Sequence, residues 1–277
     1  MYTRARLVVN RPLELARGKS AHIHGKSKDP LNLARIIFMV FAAVASGLSA
    51  AFAVVVFLKF LRSRRPAFAA WTLGLLIFAG AAAFQAAGET GGWSPAVFRG
   101  FYLLGGVLGV IYLALGTIFL LAPRRVAWAC AILLGAITIV LAVDAAVIPV
   151  DAAKLATAKG VLGDAIQQGS LLFIGVVFLN IIGTLVLVGG SAWSAYRFIR
   201  DRAGIDRVIC NVLLTAGALI IAVGFSAAKT VGIANLDVLG AYEAAGIAIM
   251  FGGFLALGKV GVRSPASSGR ATATSGS

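Results

Sequence analysis

The sequence predicts an all-α bundle of seven transmembrane helices, and three observations predict it. Seven stretches of the 277-residue chain are each apolar over about 20 residues, the length that crosses a bilayer as a helix. Hydrophobic residues make up 60% of the chain and charged ones 13%, with a mean hydropathy of +0.95, whereas soluble domains carry about 25% charge. Apolar residues run continuously through each stretch, without the polar alternation of a membrane barrel strand, so the spans are helices.

Proline marks most of the boundaries, because it opens helices readily and cannot continue them. Span one covers 34–61. Pro66 precedes span two, 67–88, and Pro95 precedes span three, 98–122. Pro123 separates span three from span four, 125–148, by so short a turn that the two must be antiparallel neighbours, and Pro149 closes span four. Spans five, six and seven cover 170–196, 208–228 and 236–258. The long connection from Pro149 to Gly169 predicts a short interfacial helix within 151–166 that caps the bundle, at a length that suits a lid. Little chain remains for another domain. The reading is one membrane domain, 34–258, between a basic tail, 1–33, and a disordered tail, 259–277, whose last residues are mostly Ser, Ala, Gly and Thr.

Orientation follows from Lys and Arg, which collect on the cytoplasmic side of short loops. Thirteen lie after spans one, three, five and seven, including Lys59, Arg62, Arg124, Arg197 and Lys259. Only Arg99, Lys154, Lys159 and Lys229 lie at the other ends, which predicts an outside N-terminus and a cytoplasmic C-terminus. Eight basic residues of the N-terminal stretch, from Arg4 to Arg35, oppose this assignment and are outvoted by the later loops. Trp71, Trp128 and Trp193 at the cytoplasmic ends and Trp93 at the outer end read as an interfacial belt. Compactness and an Ala, Gly and Arg bias place the chain in the cell membrane of a prokaryote.

Small residues spaced along one helix face mark close helix contacts in lipid. Gly105, Gly109 and Gly116 on span three and Gly246 and Gly253 on span seven are read as packing faces inside the bundle. Cys130 and Cys210 are read as free thiols.

Ionisable groups at membrane depth are costly and so point to function. In the predicted orientation Glu89, Arg99, Asp144, Lys229, Asp237 and Glu243 gather near the outer span ends as a polar vestibule. Glu243, about two turns inside span seven, needs a cation such as Lys229 or Arg99 beside it, or a proton upon it. Asn211 and Thr215 begin a polar or small stripe on span six, through Ala218, Ala222 and Ser226 to Lys229, which serves as interhelical glue or lines a path toward Glu243. Asn180 and Thr184 on span five pose the same choice, and Tyr102, Tyr112 and Tyr242 are further candidates for the cavity wall.

The sequence has no Gly-rich phosphate loop, no metal-ligand spacing and no histidine inside a span. His22 and His24 both lie in the N-terminal tail, without companion ligands. No catalytic residue, metal site or cofactor is assigned, and the chain is read as a non-enzyme. The net charge of +15 sits at membrane edges and in tails, which fits anionic headgroups and not nucleic acid. The stretch Ser226-Ala227-Ala228-Lys229 fails as a retinal site, because Lys229 ends span six and Phe225 stands where an acid is required. The expected partners are membrane lipids and a small ion or metabolite. The expected function is a transporter-like or ligand-binding membrane protein. The competing reading is a structural or accessory subunit that meets lipid or a partner complex through its glycine faces.

Overall fold

The computed structural model describes residues 30–157, 165–166, 169–201, 205–230 and 236–260. The side chains of 30–35, 37–38, 156–157, 205–207, 226–230, 236–238 and 257–260 fall outside that description. So do most of the N-terminal tail, with His22 and His24, and the C-terminal tail beyond Val260. The helices are α1 (Pro30–Ser63), α2 (Pro66–Gly91), α3 (Pro95–Phe101), a π-helical segment (Tyr102–Leu108), α4 (Gly109–Leu121), α5 (Arg124–Val147), α6 (Ala152–Thr157), α7 (Leu171–Arg200), α8 (Ile205–Thr230) and α9 (Leu236–Val260). α3, the π segment and α4 form one continuous span, so seven helical spans are long and apolar enough to cross a membrane. The protein is an all-α polytopic membrane protein.

Six spans close into a ring. α1 packs on α2, α2 on α4, α4 on α7, α7 on α8, α8 on α9, and α9 returns to α1. Spans one to three and five to seven therefore make the same sequence of contacts, and an intervening single span leaves both trios running in the same direction. α5 stands outside the ring against α4, α7 and the π segment. Its outer face is bare, with Ile132 and Val147 each 72% exposed, as expected of a helix that lipid covers.

Alternating spans give the bundle a basic end, which carries Arg62, Arg124 and Arg197, and a loop end, which carries the α5–α7 connection. The interior divides accordingly. Toward the basic end Phe52, Leu75, Leu113, Leu187, Ile221 and Phe254 bring all six ring spans into one core. At the loop end Phe98, Tyr102, Leu141 and Leu172 form a second core, to which the connection adds Leu155, Ala165 and Ile166. The connection holds the predicted short helix, α6. Asp151 caps it by accepting from the amides of Ala153 and Lys154, and a bridge between Val150 and Ile166 folds the connection onto the bundle.

Glycine decides how closely the spans approach. Gly105, Gly109 and Gly116 face Ala81, Phe78 and Trp71 of α2, while Gly246 and Gly253 face Ile221 and Leu213 of α8. Gly116 makes room for the indole of Trp71, whose Nε1 donates to the Leu113 carbonyl at 3.1 Å. Trp71 thus turns inward and leaves the interfacial belt, which keeps Trp128 and Trp193 exposed at the basic end. Past α2, Gly92 takes a left-handed φ of 88° that side chains disfavour, and Trp93 folds back over Gly88.

The tightest crossing gives a test. A Cβ at Gly246 would lie 2.5 Å from Ile221 Cγ1 and 2.7 Å from the Gly217 carbonyl oxygen, part of a backbone that cannot yield locally. Gly246→Ala is expected to lower stability by about 1–3 kcal/mol. Gly135→Ala on α5, where nothing lies within 4 Å, is expected to be neutral or mildly stabilising. Unfolding of the two variants in the same detergent checks the difference.

Candidate functional site

Of the ionisable residues that the sequence singles out, the fold brings two together. Glu89 lies near the end of α2 and Glu243 about two turns into α9. They are near enough for their charges to interact. Both are buried, Glu243 at 2% exposure. Gln85, one turn deeper than Glu89 and fully buried, donates from Nε2 to Glu89 Oε1 at 2.8 Å. Beside Glu243, Ala45, Ala82 and Ala244 meet where α1, α2 and α9 converge, so three methyl groups let the spans close around the carboxyls. Glu243 Oε2 is buried with no hydrogen-bond partner among the described residues.

Arg99, Asp144 and Thr215 are engaged elsewhere. Arg99 Nη2 donates to the Ile148 carbonyl at 2.7 Å, and Asp144 Oδ2 accepts from the Leu172 amide at 2.9 Å. These bonds tie the end of α5 to α3 and cap the start of α7, where a carboxylate also meets the positive end of the helix dipole. Lys229 and Asp237 lie on α8 and α9, but their side chains fall outside the described residues, as does the expected Lys229–Glu243 pairing. Thr215 donates to the Asn211 carbonyl of its own helix at 2.8 Å. Gly224 meets Tyr242, so Thr215 sits about 12 Å along α8 from the level of Glu243. Glu89 and Glu243 are thus buried side chains, and Thr215 lies well away from them along α8.

Asn180 is glue. Its Nδ2 donates to the carbonyls of Val176, at 2.8 Å, and Gly106. The π segment shifts Gly109 N–H back to Leu104, five residues earlier, and the side chain of Asn180 serves a carbonyl of that irregular turn. The three tyrosines are spread out. Tyr102 packs on Phe98, the Tyr112 hydroxyl hydrogen-bonds with Thr138 of α5 at 3.0 Å, and Tyr242 faces Gly224.

Sequence reading passed over three features. Gln85 stands four residues before Glu89 in an otherwise Ala-rich run, and an amide at that spacing is a detectable signal. Thr117 and Ser191 are buried hydroxyls on the wall of a central cavity to which every ring span contributes. Lys59 sits one turn past Val56 of that wall, its Nζ 4.7 Å from the ring centre of Phe254 and 5.3 Å from that of Phe68. On α9, Glu243, Ile247, Met250 and Phe254 follow one another on one face. The carboxyl pair and the cavity are thus aligned, with fully buried Ile247 between them.

No family model, curated protein or solved structure matches the chain. Among the described residues no three His, Cys, Asp or Glu side chains gather as a metal site.

Asp144 and Arg99 are expected to behave as braces. Asp144→Ala should cost about 1 kcal/mol of stability, the worth of a helix cap, without unfolding the bundle. Thermal unfolding and circular dichroism on one preparation check both.

Proposed function

We propose that the chain is a membrane carrier in which Glu89, Gln85 and Glu243 take up a proton or a small cation from the loop end. The observation that carries this reading is Glu243, a buried carboxyl with an unpartnered oxygen and a second buried carboxyl in electrostatic reach. A bare carboxylate removed from water costs on the order of several kcal/mol. In this reading a proton or a small cation offsets the buried charge of Glu243 and couples it to a gradient, and Gln85 orients the nearby Glu89.

In this reading the loop end faces outside and the basic end the cytoplasm. The α5–α7 connection covers the entry side, and Ile247 blocks passage toward the cavity. The accessory-subunit reading draws support from α5, whose exposed outer face is available for docking. It gains nothing from Gly105, Gly109, Gly116, Gly246 and Gly253, whose faces meet side chains or backbone of the bundle itself.

A carbodiimide of apolar type reacts with protonated carboxyls in apolar surroundings and provides the test. Glu243 or Glu89 is expected to be modified in the folded protein, less so as pH rises, with Glu243→Gln abolishing reaction at that position while the protein stays folded. Protection by sodium ions would identify a cation site, and absence of protection a proton site. Failure of both carboxyls to react at pH 6 would sink the proposal.

Orientation has its own check. In a background lacking Cys130 and Cys210, Thr90→Cys should react with an impermeant maleimide on intact cells and Ser63→Cys should not. The reverse pattern inverts the topology.

A further inference from the structure

The central cavity lies within the same ring as the acid pair, nearer the basic end, and its chemistry differs. Phe52, Trp71, Leu75, Met250 and Phe254 make most of its wall apolar. Two hydroxyls interrupt that wall. Thr117 Oγ1 is buried with no partner among the described residues, and Ser191 stands on the neighbouring span α7. Beside the cavity, toward the basic end, is Lys59, half-buried on α1. Phe68 and Phe254 hold its ammonium against their ring faces, which attract a cation without cancelling its charge. Phe254 itself lines the cavity, so the ammonium stands on the side of α1 that faces α9. The one ion pair among the described residues, Lys154 with Asp151, is at the loop end and leaves Lys59 without a carboxylate.

An apolar chamber with a few convergent polar groups is the usual form of a small-molecule site. Here the polar groups select the ligand. The ammonium repels cations, and the two ring faces that would cage a cation are already occupied by Lys59. A neutral hydrocarbon would satisfy the walls and leave the ammonium and the Thr117 hydroxyl unused.

We propose that the cavity binds a small apolar organic anion, with its carboxylate on Lys59 and its hydrocarbon body among Phe52, Trp71 and Phe254. The proposal rests on the carrier reading above and deepens it. The acid pair would supply the driving proton or cation, and the cavity would hold the substrate.

The test uses the full chain in nanodiscs of neutral phosphatidylcholine, with hexanoate, hexanol and hexylammonium as probes and calorimetry as the readout. Hexanoate is expected to bind saturably and about tenfold more tightly than either isostere, the worth of one charge-assisted hydrogen bond. Lys59→Met, which keeps the apolar stem, should lose about that factor, while Lys59→Arg, which keeps the charge, stays within about threefold. Carbodiimide reactivity at Glu243 and hexanoate binding are read in separate assays, so the loss of one and the loss of the other are separate failures. Phosphatidylglycerol added to the nanodiscs distinguishes the sources of the anion. If it displaces hexanoate from wild type through Lys59, the natural occupant is a lipid headgroup; if it does not, the occupant is a soluble acid. Equal binding of hexanol and hexanoate, or equal hexanoate affinity in wild type and Lys59→Met, overturns the proposal.

Discussion

Helices in lipid cannot be driven together by the hydrophobic effect, because lipid tails are as apolar as the side chains they would replace. Cohesion has to come from close packing, and in this bundle that means glycine against backbone. Gly217 and Gly246 bring α8 and α9 within backbone contact, and Gly105, Gly109 and Gly116 let α4 and the π segment settle on α2. The closed ring follows from these contacts, and the central cavity and the buried acid pair follow from the ring. α5 lacks such contacts on its outer face and stays at the periphery.

Polar groups divide into two kinds. Asp144, Arg99, Asn180 and Asp151 meet backbone groups at helix ends or at the π segment, where regular helix bonding is incomplete. Their bonds explain why they are tolerated at membrane depth. Glu243 and Thr117 have no such explanation among the described residues, and Lys59 faces aromatic rings in place of an acid. The second kind lies along the ring interior between the loop end and the basic end.

The two kinds were indistinguishable in the linear sequence. Glu89, Arg99, Asp144 and Glu243 all read as ionisable residues near the same span ends, and nothing in their spacing says that Arg99 will reach the Ile148 carbonyl while Glu243 meets no donor. That distinction depends on contacts between residues up to 49 apart in the chain. Trp71 shows the same limit. Its position at a span end fits an interfacial anchor, but Gly116 on another span opens a slot, and the indole enters the core.

The sequence by itself determined that the chain folds as seven apolar helices, approximately where they start and stop, and which glycines would carry contacts. These properties depend on local hydrophobicity, proline and small-residue spacing, and the backbone must satisfy its own hydrogen bonds in an apolar medium whatever the helices pack against. Tertiary structure alone decided the order of the ring, the exclusion of α5, the burial of Glu89 on α2 and Glu243 on α9 within electrostatic reach of each other, and the position of Lys59 beside a shared cavity. Each depends on which faces of distant helices meet, and an apolar span has so little amphipathic pattern that its sequence does not say which face turns inward.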